Sequence, residues 1–270
     1  MRLGVPYQGS KNAIAREIVA TLPRGGRFVD LFAGGCAVTH AAVLSGKYDR
    51  YLMNDSLGIG TRLFLGGLRG DYADAWRQWV TREDFEKRKG EDPAVALCWS
   101  FSNNMKHYLY GRDIEEAKRL AHAEAVRLGS YDTWRRLTAA RRGANDRGLE
   151  AVERLQSVAA LQSVAATTGD YREVEIGAGD VVYCDPPYAG TESYAGLTFD
   201  SAAFWNWAAS RPFPVFVSEY RAPDTFAPIW RKGKLRLMNQ YGSDGKATEY
   251  LFVQRRFAAD FQTDLLGCAC

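Results

Sequence analysis

Apolar residues follow two kinds of pattern along the chain. Short continuous runs, Arg27-Phe28-Val29-Asp30-Leu31-Phe32, Tyr48 to Met53, Asp180-Val181-Val182-Tyr183-Cys184 and Pro214 to Tyr220, have the length and content of buried strands. Other segments have helical spacing. Ser10 is placed to cap a helix from Lys11 to Leu22, with Ile14, Ile18, Val19 and Leu22 on one face. Ala37 to Leu44, Ile114 to Leu128 and Phe199 to Ala209 are read as helices too, and the pattern around Trp76, Trp79 and Val80 is helical. Lys234 to Tyr241 and Ala247 to Arg256 flank a turn-rich Gly242 to Lys246, which predicts a closing hairpin.

Strands alternating with helices predict an α/β fold. The alternation breaks between residues 71 and 165, so an inserted, mainly helical domain is expected there. Residues 1–70 and 166–260 would then form the catalytic domain, with 261–270 a loose tail. Within the break, Leu149, Val152, Leu155, Val158, Leu161 and Val164 recur every third residue, through a tandem Leu-Gln-Ser-Val-Ala-Ala. On an α-helix each would retreat about sixty degrees from the last. The stripe either winds around the helix or part of the run is not α-helical, and it is read as a structural spacer.

Composition narrows the class. A chain of 270 residues with 46 % apolar content can bury a substantial core. The formal charge of +3 is weak, so attraction to a polyanion would need a local patch. Five scattered cysteines, Cys36, Cys98, Cys184, Cys268 and Cys270, argue for reduced thiols rather than a disulfide framework. With no apolar run near twenty residues, a soluble cytoplasmic protein with no membrane partner is expected.

Asp185-Pro186-Pro187-Tyr188 closes an apolar strand and is the sharpest chemical signal. By average residue usage it arises by chance in on the order of one in a thousand chains of this length. An exocyclic amino group on a nucleobase is a poor nucleophile because its lone pair is delocalised. The Asp185 carboxylate and the Pro186 carbonyl, fixed by Pro187, can accept its two hydrogens, and Tyr188 can stack on the ring. Nearer the start, Ala33-Gly34-Gly35-Cys36 is a tight loop between a strand and a helix. The strand after that helix ends in Asn54-Asp55, an acid suited to both hydroxyls of a ribose. That pattern points to a nucleoside-containing cofactor, and its spacing does not imply a pyrophosphate.

These motifs resemble the Dam-type, D12 class DNA adenine N6-methyltransferases. Pro6-Tyr7-Gln8-Gly9-Ser10-Lys11 is similar to the segment that precedes the glycine loop in that family. Phe32-Ala33-Gly34-Gly35 is similar to the glycine motif, with Cys36 where glycine is more usual. Gly169-Asp170-Tyr171 resembles the segment that reaches the cofactor's adenine. The resemblance implies a class I, Rossmann-like methyltransferase sheet with a target-recognition insert. It implies S-adenosylmethionine held by Tyr7, Lys11, Asp30, Phe32, Ala33, Gly34, Gly35, Asp55, Asp170, Tyr171 and Asp185, with catalysis by Asp185, Pro186, Pro187 and Tyr188. Double-stranded DNA would be the partner, its adenine flipped out, with no metal required.

In the insert, residues 101–112 concentrate amides, aromatics and cations. Asn103, Asn104, Lys106, Tyr108, Tyr110 and Arg112 are candidates for base and phosphate contact. Arg135, Arg136, Arg141 and Arg142 form a second basic run suited to phosphates. An amino methyltransferase of cytosine N4 or RNA adenine, and a non-catalytic DNA-binding protein on the same scaffold, stay open as alternatives. Recognition sequence, oligomeric state and membership of a restriction-modification system are not legible in these residues.

Overall fold

A computed structural model describes residues 2–139, 148–157, 163–187, 199–235 and 246–261. Strands β1 (Arg27–Asp30), β2 (Arg50–Asp55), β3 (Val164–Thr168), β4 (Asp180–Cys184), β5 (Val215–Glu219), β6 (Phe226–Leu235) and β7 (Lys246–Gln254) form one sheet in the order β3-β2-β1-β4-β5-β7-β6. Strands β1 to β5 are parallel, and β7 lies antiparallel between β5 and β6. This mixed α/β sheet is the Rossmann-like methyltransferase architecture that the resemblance implies.

Helices α1 (Ala15–Thr21), α2 (Ala37–Ser45), α3 (Ile59–Arg69), α4 (Arg82–Arg88), α5 (Pro93–Cys98), α6 (Arg112–Arg127), α7 (Tyr131–Ala139), α8 (Gly148–Glu153) and α9 (Ser201–Ser210) surround the sheet. Alternate strand residues face opposite layers. Phe28, Tyr51, Met53, Tyr183 and Phe216 pack with α1, α2 and α3, while Val29, Leu31, Val182, Val215 and Val217 pack with Phe204 and Ala208 of α9. Trp76, Phe85, Trp99, Tyr110 and Trp134 of the insert belong to the same contiguous core as Phe28.

Four elements differ from the sequence reading. Around Trp76, Trp79 and Val80 only a 3₁₀ turn over Ala75–Arg77 forms, and residues 78–80 are not helical. Helix α1 starts at Ala15 rather than Lys11, because the Lys11 carbonyl accepts the N–H groups of both Ile14 and Ala15 in a preceding turn. Strand β6 starts at Phe226, eight residues before the expected Lys234. Its pairing slips between Pro228 and Trp230, where proline has no N–H to give, and β6 tolerates this as an edge strand. The threefold spacing is resolved as a change of element: α8 passes into a 3₁₀ turn over Arg154–Ser157, and Val164 already lies in β3. Residues three apart eclipse in a 3₁₀ turn, which lines Leu155 up with Val152 against Gly67 of α3. Among the described residues no helix is long and apolar enough to cross a membrane.

Candidate active site

The parallel strands β1, β2, β3 and β4 end on one edge of the sheet. Register pairs Asp30 with Met53 and Tyr183, and Asp55 with Thr168. The sheet grows one way from β1 through β2 to β3 and the other way through β4, so a crevice opens between the β1 and β4 ends. Asp30, Asp55, Asp170 and Asp185 all follow or close these four strands.

The glycine loop is fixed by backbone bonds before any ligand enters. Leu31 N–H donates to Tyr183 and Ala33 N–H to the Asn54 carbonyl. A side chain on Gly35 would meet Tyr7 Cβ at 2.5 Å, so the Pro6 to Lys11 segment and the loop can pack only if residue 35 is glycine. Cys36 holds φ 58°, the left-handed region, which accounts physically for the glycine more usual there.

Asp55 is already engaged. Its Oδ1 accepts from Leu57 and Gly58 N–H at 3.0 Å, and its Oδ2 accepts from Gly34 N–H at 3.2 Å. It therefore ties the β2 turn to the glycine loop, with lone-pair capacity left for one further donor. Asp170 caps the turn Tyr171–Glu173 and is held by Arg172, while the Tyr171 ring packs on Phe32 at 5.1 Å.

Asp30 is buried in the crevice. Thr39 donates to its Oδ2 at 2.8 Å, whereas Oδ1 has no hydrogen-bond partner among the described residues. Burial pushes its carboxyl up to about 7, reinforced by the nearby charges of Asp185 and Asp55 and opposed by the Thr39 bond. Just after β4, Asp185 Oδ1 lies 2.7 Å from Lys11 Nζ, and Lys11 Nζ lies 3.3 Å from Glu249 Oε1 on β7. Burial alone would lower the Lys11 pKa. The charges of Asp185 and Glu249 outweigh it and hold the ammonium above its ordinary value. Glu219 ends β5 and is also buried, which pushes its carboxyl up to about 7. Cys36 and Cys184 are buried thiols whose pKa burial raises well above normal, so neither supplies a thiolate.

Asp185 and Glu249 thus contact Lys11, with Glu219 close by and Asp30 near Asp185, an excess of acid over base among the described residues. An orphaned carboxylate oxygen and surplus negative charge fit a cationic nucleoside such as S-adenosylmethionine. Lys11, placed with the cofactor contacts in the sequence reading, pairs with Asp185. Pro186 is buried beside it and Pro187 is exposed, while Tyr188 lies outside the described residues. Glu219 and Glu249 were missed by sequence reasoning. A signal was present in the alternation of β7, which puts Glu249 on the same face as the core residues Leu251 and Val253.

Three of the residues named as candidates for DNA contact are buried. Tyr108 donates its hydroxyl to the Val80 carbonyl at 2.7 Å and is buried. Tyr110 stacks on Trp79 at 5.4 Å and is 1 % exposed. Asn103 is buried and donates to the Leu97 carbonyl at 2.8 Å. These three hold the loop onto the insert's core and do not face solvent. Asn104 accepts from the Lys106 and His107 N–H groups, shaping the turn, and Lys106 and Arg112 are exposed. On α7, Arg136 is exposed, Arg135 lies in the helix, and Arg141 and Arg142 lie outside the described residues.

The fold is a Rossmann-like methyltransferase sheet with buried acids at its switch point. Residues 7–67 and 140–208 match the model of the D12 class N6 adenine-specific DNA methyltransferase family. Over these segments, which carry the Dam-type motifs, the chain is similar to this family. The matched segments include Tyr7 to Asp55 and Asp170 to Tyr188, and leave out residues 68–139, Glu219 and Glu249. No curated protein matches the chain.

Proposed function

We propose that this chain methylates adenine N6 at a specific site in double-stranded DNA, taking the methyl group from S-adenosylmethionine and acting on a base turned out of the duplex. The observation that carries the reading is Asp185, held by Lys11 at the β1–β4 switch point and followed by Pro186 and Pro187. When bound, S-adenosylmethionine supplies an electrophilic methyl on a sulfonium cation. Asp30 and the other crevice carboxylates favour a cation, Gly34 and Gly35 let backbone come close, and Asp55 offers its remaining lone pair to a ribose hydroxyl. Tyr7 walls the pocket from the glycine side, Phe32 and Ala33 from the β1 end, and Asp170 and Tyr171 from the β3 end.

Asp185 and the Pro186 carbonyl accept the two amino hydrogens of the target, which frees the nitrogen lone pair to point at the methyl group. Tyr188 is assigned the stacking role that offsets the few kcal/mol needed to extrude a paired base. Residues 71 to 165 form the recognition insert and spacer in this reading. Asn104, Lys106 and Arg112, with the arginines at 135, 136, 141 and 142, carry its contacts to DNA.

Incubation with radiolabelled S-adenosylmethionine and a panel of duplex DNA, single-stranded DNA and RNA, followed by nucleoside analysis, tests the reading. Label in N6-methyladenine from duplex DNA is expected. Label in N4-methylcytosine or in RNA overturns the assigned acceptor. No calorimetric binding of S-adenosylmethionine would indicate a non-catalytic scaffold.

A further inference from the structure

We infer that Glu249, on the last strand of the sheet, is a positioning residue for transfer: it shares the Lys11 ammonium with Asp185 and so keeps Lys11 protonated and in place to orient the Asp185 carboxylate. The inference rests on the reading of Asp185 as the carboxylate that binds the acceptor amine.

Glu249 is 0 % exposed, on a strand face otherwise occupied by Leu251 and Val253. A buried carboxylate on such a face is costly, and an apolar residue of similar volume would serve packing at least as well. Its contact explains its presence. Lys11, itself buried, reaches Asp185 Oδ1 at 2.7 Å and Glu249 Oε1 at 3.3 Å, joining a residue before α1, the end of β4 and the middle of β7. Held from two sides, the ammonium has a fixed position from which to orient the Asp185 carboxylate toward an amine.

The other titratable groups facing this cluster are Tyr183 on β4 and Glu219 at the end of β5, with Asp30 on β1 behind Asp185 and Asp55 beyond it. Lys11 is the cation that both acids contact. Loss of its proton at high pH removes the charged partner that orients Asp185, so the rate should fall along an alkaline limb. Removing the Glu249 charge weakens the hold on that proton and moves the limb to lower pH.

The test is the pH dependence of single-turnover methyl transfer to duplex DNA by wild type, Glu249→Gln and Glu249→Asp, with thermal denaturation of each. Glu249→Gln should lose roughly 10- to 100-fold in rate at pH 8, with its alkaline limb displaced downward. Glu249→Asp should recover part of both, and the denaturation midpoints should stay close to wild type. An unshifted limb in Glu249→Gln, with a rate loss equal at every pH and not recovered by Glu249→Asp, assigns Glu249 to packing and overturns the inference. If Glu249→Gln does not fold, Lys11→Arg gives the second readout: its guanidinium does not titrate in the accessible range, so the limb should vanish, and a persisting limb overturns the inference. A wild type that binds S-adenosylmethionine but modifies no duplex DNA overturns the proposed function and this inference together. A wild type that modifies DNA while Glu249→Gln behaves identically overturns the inference alone.

Discussion

The crevice at the sheet edge and the aromatic core of the insert both bury polar side chains, but they treat them in opposite ways. In the insert, Tyr108 bonds the Val80 carbonyl, His122 contacts the Trp76 carbonyl at 2.6 Å, and Asn103 bonds the Leu97 carbonyl. Each of these three has a backbone partner. At the sheet edge, Asp30 has an oxygen with no hydrogen-bond partner among the described residues, and Asp185 and Glu249 share Lys11 with Glu219 close by. A region built for stability satisfies its polar atoms, whereas a region built to receive a ligand leaves charge uncompensated until the ligand arrives.

That contrast can be broken at either end. The largest effect should come from Asp185→Ala, which removes the acceptor of the target's amino hydrogen. Transfer should fall about 10³-fold, roughly 4 kcal/mol, with S-adenosylmethionine affinity within about tenfold of wild type. Single-turnover rates beside calorimetric titration read both quantities, and near-normal transfer would falsify the catalytic assignment.

Tyr110→Ala should cost about 3 kcal/mol or more in chemical denaturation, since it vacates a ring stacked in the core. At temperatures where the variant stays folded its DNA affinity should match wild type. A direct loss of DNA binding there would return Tyr110 to the contact surface and erase the contrast.

Asp30→Asn probes the crevice in the opposite sense. The folded pKa of Asp30 lies above its ordinary value of 3.8, at about 7, so its contribution to stability is present at low pH and is lost as pH rises toward and past 7. Replacement by the neutral amide should therefore stabilise the ligand-free protein at pH 8, by on the order of 2 kcal/mol once relaxation of the site is allowed for, and do nothing at pH 4. Urea titrations at the two pH values decide it. The same change should weaken S-adenosylmethionine binding.

On the insert's surface, Arg136→Ala should flatten the salt dependence of DNA binding by about one unit of slope, and Lys106→Ala should lower discrimination between target and non-target sites by roughly 1 kcal/mol. Binding isotherms across a salt series separate the two. If neither variant moves them, DNA contact must be sought outside the insert. The smallest effect is expected of Cys36→Gly: relief of the left-handed backbone, worth about 1 kcal/mol, is offset by loss of a buried side chain, so the melting temperature should barely move.

The order of strands and helices, the glycine loop, the placing of Asp30, Asp55 and Asp185 at strand ends, and the family could all be read along the chain. They depend on local pattern: runs of apolar residues, proline at Pro186 and Pro187 stopping a strand, and glycines where only glycine fits. Tertiary structure alone decided which polar residues meet. The chain places Lys11 and Glu249 more than two hundred residues apart, and only the closing of β7 beside β5 brings both to Asp185. It also decided that Tyr108 and Tyr110 turn inward, because a tyrosine's amphipathic ring suits either a core or a surface, and the neighbouring Trp79 and Val80 determined which. Backbone propensity acts over a few residues, whereas burial and charge pairing act through space, so the sequence carried the scaffold and the fold assembled the chemistry.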